Sequence, residues 1–294
     1  MIDKSIQNKI KKIKIHTRRV MQSTLAGDYL SAFKGSGLEF HQIREYTPGD
    51  DIRSIDWNSS AKMNKLMIKQ FIEERDRTII LAIDVSGSTF FGSQNELRKE
   101  SIAQIAATLT FIAAENKDKV GVLFFSDHTE EWIPPKKGNV HLGRIIETIF
   151  TLRPKSKKTS IASALRFLIQ LKKRNAVVFM ISDWIESYSY NKLLKVASYE
   201  YDFVGVRVTD AAEQQLPDIG FLEIEDAESG QKTVLDTRGS QNTNNLLTKL
   251  LQGRIAQQKK LFEKYRIDML DLTVGQPFVN PLISFFHKRI RRQI

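Results

Sequence analysis

The 294-residue chain contains no cysteine. Disulfides and thiolate metal ligation are therefore excluded, and the composition is the one expected of a cytoplasmic protein in a reducing compartment. No run of about 18 apolar residues occurs, so no transmembrane helix is expected. The opening stretch MIDKSIQNKIKKIKIHTRRV is basic and lacks the apolar segment of a secretory signal. The Gly-x4-Gly-Lys-Ser/Thr phosphate loop is missing, as is the Gly-x-Ser-x-Gly turn that presents a nucleophilic serine. Histidine is sparse: His16, His41, His128, His141 and His287 are all there is. Of these only His128 follows a core-strand pattern, and a structural or surface role is the favoured reading for it. The RNP aromatics, GXXG loops and zinc-finger spacings of nucleic-acid modules are absent too.

What is present is charge and alternation. The net charge is +11, concentrated in KKIKIHTRR (Lys11–Arg19), RPKSKK (Arg153–Lys158) and HKRIRR (His287–Arg292). Such runs are usually solvated faces, and they also suit nucleic acid, an anionic membrane surface or an acidic protein partner. Residues 3–24 read as a helix. HQIREY and LMIKQFI alternate in polarity and suggest short strands, with Pro48-Gly49 as a turn. From Thr78 onward the pattern changes to short, almost wholly apolar runs: TIILAID, VGVLFF, AVVFMIS and YDFVGVRV. Strands of that kind are covered on both faces. Between them lie helical patterns, the first with Ile102, Ile105, Ala106, Leu109, Ile112 and Ala113 on one stripe. NVHLGRIIETIFTL, SIASALRFLIQLKK and YNKLLKVASY follow as helices, FLEIED and KTVLDT as a hairpin, then a helix over about 241–264, the strand RIDMLDL and a closing helix FVNPLISFFHKRI. The expected fold is α/β, a doubly wound, mostly parallel sheet over 76–294. Residues 1–75 are expected to supply an N-terminal helix and a small, partly β segment.

In such sheets ligands bind at the carboxyl ends of the strands. The first core strand ends in ILAIDVSGST, which supplies Asp84, Ser86 and Ser88; VVFMIS runs into Asp183; KKTSIASAL places Thr159 just before a helix. All five fall at one edge of the sheet. Oxygen ligands without histidine or cysteine suit magnesium, manganese or calcium. The structural alternative is that Asp84, Ser86 and Ser88 only form an Asx-turn or helix cap.

DVSGS, TSIASAL and ISD together resemble the metal-ion-dependent adhesion site of von Willebrand factor A (vWA) domains. The upstream stretch GSGLEFHQIREYTPGDDIRSIDWNSSAKMNKLMIKQFIEE resembles the bacterial DUF58 family, with agreement over about residues 18–290. Lys62 and Thr89 depart from the family pattern, where arginine and methionine are commoner. The resemblance implies hydroxyl ligands from Ser86, Ser88 and Thr159, with Asp84 and Asp183 acting directly or through water. It further implies a vWA-like fold, a non-enzymatic adaptor that takes an acidic ligand from a protein partner, and a MoxR-type AAA+ ATPase as that partner. No small-molecule substrate, nucleic acid or membrane span is expected. Two alternatives stay open: a metal-dependent hydrolase using the same five residues, and a nucleic-acid or anionic-membrane binder using the basic termini. A haloacid-dehalogenase-type phosphatase would need a second aspartate where Ser86 stands.

One further stretch asks for a role. REYTPGDDIRSIDW (Arg44–Trp57) interleaves Glu45, Asp50, Asp51 and Asp56 with Arg44 and Arg53. Carboxylate–guanidinium forks can pin an irregular segment, and Trp57 can bury its ring once its N–H is partnered. Architecture is the favoured reading, a partner-facing surface the other.

Overall fold

The computed structural model describes residues 29, 31–33, 38–73, 77–90, 97–173, 176–186, 190–210, 220–225, 230–236 and 241–293. The expected helix at 3–24 and the basic run Lys11–Arg19 lie outside them. The chain divides into two compact units: Lys34–Arg77, and Met1–Phe33 together with Thr78–Ile294.

In the smaller unit β1 (Leu38–Glu45) pairs antiparallel with β2 (Met67–Glu73), with a bulge between Phe40 and Gln42. The acids of the Arg44–Trp57 stretch each take a structural task. Asp50 receives a two-pronged fork from Arg44, at 2.7 and 2.9 Å, and accepts from the backbone N–H and hydroxyl of Thr47. Gly49 makes the turn possible with φ +109°. Asp51 caps a short 3-10 turn, Ile52–Ser54. Asp56 caps α1 (Trp57–Met63), accepting from the N–H groups of Asn58 and Ser59, and the helix stops at Asn64 in the left-handed region. Glu45 pairs with Lys65 at 3.2 Å. Trp57 does not take the buried position open to it. Its ring is 67% exposed, because α1 turns only Ser60 into the interior.

The Arg44 fork and the Thr47 bonds hold the Asp50 carboxyl far below the ordinary aspartate range. A depressed folded-state pKa stabilises at pH above the unfolded value, and the contribution is lost as pH falls toward the folded one. Asp50→Asn should therefore raise the hydrogen-exchange rates of β1 and β2 amides near neutral pH, and the difference from the parent should shrink below about pH 4. A difference independent of pH would contradict the assignment. Arg53→Ala, which removes an exposed side chain, should leave exchange unchanged.

The larger unit is the expected α/β sheet. Its strands are β3 (Thr78–Asp84), β4 (Lys119–Phe125), β5 (Thr129–Lys136), β6 (Val177–Ser182), β7 (Asp202–Thr209) and β10 (Asp268–Thr273), in the order β10-β7-β6-β3-β4-β5. All neighbours are parallel except β5, which runs antiparallel to β4 at the edge. Strands β8 (Phe221–Glu225) and β9 (Lys232–Asp236) form the expected hairpin. The helices are α2 (Arg98–Glu115), α3 (Asn139–Thr151), α4 (Ile161–Leu171), α5 (Asn191–Glu200), α6 (Gln241–Lys264) and α7 (Val279–Gln293).

Alternation along β3 separates two cores. Ile79, Leu81 and Ile83 join α2, α3 and α7 on one face, together with Tyr29 and Phe33. Ile80 and Ala82 join α4, α5 and Phe262 of α6 on the other. That is why β3 reads as one unbroken apolar run. Strand β5, TEEWIPPK, was not expected; it is an edge strand, and Pro134-Pro135 fall at a break in its register, between the Lys136–Val120 and Ile133–Val122 pairs. Gly121 lets it approach, since a Cβ there would lie 2.8 Å from the Pro135 ring. Much of the C-terminal basic run is architectural. Arg289 is buried, pairs with Asp202 and Asp268, and stacks over the Phe33 ring at 4.4 Å. Arg292 pairs with Asp268 at 2.6 Å.

Candidate metal centre at the switch point

The strand order reverses between β3 and β6, which pair directly with Ile83 beside Ile181. A crevice opens at the carboxyl ends of such a pair. Asp84 is the last residue of β3, and Asp183 follows β6. Both are buried, at 1% and 5% exposure, and they stand on the same edge.

Every carboxylate oxygen is engaged. Asp84 accepts from the Ser86 N–H at 2.9 Å and from the Ser182 hydroxyl at 2.7 Å. Asp183 accepts from the Ile185 N–H at 3.0 Å and from Arg98 at 2.8 Å. Arg98 also reaches the Ser88 carbonyl, at 3.0 Å. Burial first, and the charge of Asp183 second, push the Asp84 carboxyl well above the usual carboxylate range. The Ser86 and Ser88 hydroxyls lie 3.2 Å apart. Thr89 bonds its hydroxyl to the Ser86 carbonyl at 2.7 Å, closing the turn.

Thr159 arrives on a third loop tied to the other two. The Gly87 N–H donates to the Lys157 carbonyl at 2.7 Å, and the Ile161 N–H donates to Glu186, beyond Asp183, at 2.6 Å. The Ser160 N–H adds a bond to the Ser126 carbonyl at the end of β4. The loops carrying all five expected residues are thus laced together at one edge.

The donor set fits a hard divalent cation. Oxygen ligands 2.0–2.1 Å from magnesium in an octahedron sit about 3 Å apart, and calcium sets them slightly wider. The Ser86–Ser88 separation falls in that range. Each carboxylate oxygen carries two lone pairs, so a hydrogen-bonded carboxylate can still take part in a metal shell. Among the described residues no three His, Asp or Glu side chains converge into a metal cluster, so hydroxyls must supply part of any shell here.

Four contributors carry no mark in the sequence. Ser182 sits inside the ISD motif but reads as a strand residue. Glu186 lies in a polar loop. Arg98 opens a helix, where a basic side chain normally points to water; its route to Asp183 follows only from the fold. Glu130 on β5 accepts from the Ser126 hydroxyl at 2.6 Å and from the N–H groups of Lys155 and Ser156 at 3.1–3.2 Å. Burial would raise its pKa, but these bonds outweigh it and hold the carboxyl below the ordinary range. His128 contacts Asp127 at 2.7 Å, while Ser126 is fully buried with its hydroxyl donated to Glu130. That trio is a structural clasp.

The family model described as "Protein of unknown function DUF58" matches residues 42–251. The chain belongs to the DUF58 family. An uncharacterized relative from Mycobacterium tuberculosis is 26% identical over 230 residues, 78% of this chain and 73% of that one. Two solved structures are similar in fold to this DUF58 protein. One is an aerotolerance-related membrane protein from Bacteroides fragilis (13% identity, TM-score 0.49, 74% of this chain and 99% of the other). The other is the SpRpn10 VWA domain (12% identity, TM-score 0.42, 71% and 94%). No helix among the described residues of the DUF58 chain is long and apolar enough to cross a membrane.

Proposed function

We propose that this DUF58 protein is a non-enzymatic cytoplasmic adaptor that captures a protein partner through a divalent-metal adhesion site. Asp84, Ser86, Ser88, Thr159 and Asp183 would hold the ion, magnesium before manganese or calcium. The observation that carries the reading is the Arg98–Asp183 pair, buried to 1% and 2% exposure beside Asp84. One guanidinium already offsets one of the two carboxylates, so a bound divalent cation would leave the centre one positive charge in excess and supply a Lewis acid for an incoming Asp or Glu. Ser86 and Ser88 present their hydroxyls side by side, and Ser182 with the Ser86 N–H holds Asp84 as an acceptor. A phosphoaspartate mechanism needs a second acid where Ser86 stands, which favours binding over hydrolysis. The family resemblance suggests a MoxR-type AAA+ ATPase as the partner, in chaperone-like assembly or stress tolerance.

The test is capture of a purified MoxR-type ATPase from the same genome. Retention should be lost with chelator, restored by magnesium and lost in Ser86→Ala. Retention unaffected by chelator would overturn the reading, as would phosphate-ester turnover by the parent that vanishes in Asp84→Ala.

A further inference from the structure

The loop that delivers Thr159 has a second property. Arg153, Lys155, Lys157 and Lys158 all project from it into solvent. None of the four forms an ion pair with a described residue; of the two acids that meet the loop, Glu130 is 2% exposed and spends its oxygens on the loop backbone, and Asp127, bonded to the Ser156 side chain, is paired with His128. Four positive side chains thus stand on six consecutive residues with no direct ion pair among the described residues. The backbone beneath them is fixed at several points. Glu130 holds Lys155 and Ser156, the Lys157 carbonyl accepts from Gly87, and the Lys158 N–H donates to the Ser156 hydroxyl at 3.2 Å. Like charges on a free loop would spread apart; here their spacing is set before any partner arrives, which lowers the ordering cost of binding.

We infer that the Arg153–Lys158 loop is a preformed docking edge for an acidic protein segment, one whose flanking carboxylates engage the loop while one of its acids enters the neighbouring site. The inference rests on the adhesion-site reading for that last contact only. A protein segment is favoured over nucleic acid by what flanks the neighbouring site. Leu97 and Ile185, 41% and 53% exposed, flank Arg98 and Asp183 and offer apolar footing that a sugar-phosphate backbone does not use. Trp184, which follows Asp183 in the chain, is 3% exposed and closed to base stacking.

The probe is a fluorescein-labelled glutamate decamer, followed by anisotropy in magnesium against the full chain. The triple variant Lys155→Glu, Lys157→Glu, Lys158→Glu should bind at least tenfold more weakly, with magnesium uptake by calorimetry unchanged. Neutralisation to glutamine should give a smaller loss. A distal control, Lys288→Glu with Arg291→Glu, should change affinity less than twofold. The inference is overturned if the loop variant binds within twofold of the parent, if the distal control loses as much, or if a DNA oligonucleotide of equal charge binds more tightly than the peptide. Loss in the loop variant with indifference to chelator would uphold the docking edge while removing the metal reading, so the two failures are separable.

Discussion

Arg98→Met should lower folding stability by about 3–5 kcal/mol, because it strands a buried carboxylate. The guanidinium is 1% exposed and the Asp183 side chain 2%, so water cannot replace the lost partner. Asp84 stands close enough for its charge and that of Asp183 to repel, which sharpens the penalty. For a domain of this size the melting temperature should fall by roughly 10 °C. Adding Asp183→Asn removes the orphaned charge and should recover a large part of the loss. A double variant no more stable than the single one would show that Arg98 acts through packing alone.

The second large effect is linkage to metal. A ligand bound only by the folded state at about 100 times its dissociation constant adds about 2.7 kcal/mol. Saturating magnesium should then raise the melting temperature by roughly 5–10 °C, and chelator should reverse it. Ser86→Ala and Asp84→Ala should each abolish the shift. Both residues are enclosed, at 0% and 1% exposure, so each variant must first be compared with the parent in chelator to separate metal loss from a weakened fold. An equal magnesium shift in all three proteins would place the ion elsewhere.

The same residues explain how far the sequence could be read. Strands β3 and β6 announce themselves because both faces are covered and the run between their ends is apolar, so Asp84 and Asp183 could be placed at their ends. The Ser86–Ser88 turn and the Thr159 loop follow from that placement. Strand β5 was hidden because an edge strand with one open face lacks a continuous apolar run, and its two prolines argue against a central strand. Helix α1 was hidden by its shortness: seven residues carry no periodic stripe, and its only signals are the cap at Asp56 and the left-handed Asn64. Burial of the Trp57 ring was open to it once its N–H was partnered, yet a ring at the first position of a helix that buries one serine has no core to enter. Arg98 was unreadable for a different reason. It lies 85 positions from Asp183, and only the closed sheet brings them together.

Isothermal titration of magnesium, manganese and calcium into the metal-free chain, beside Ser86→Ala, tests the centre most directly. The account predicts one ion per chain in the parent and none in the variant. No uptake of any of the three, or uptake that survives the loss of the Ser86 hydroxyl, would contradict it.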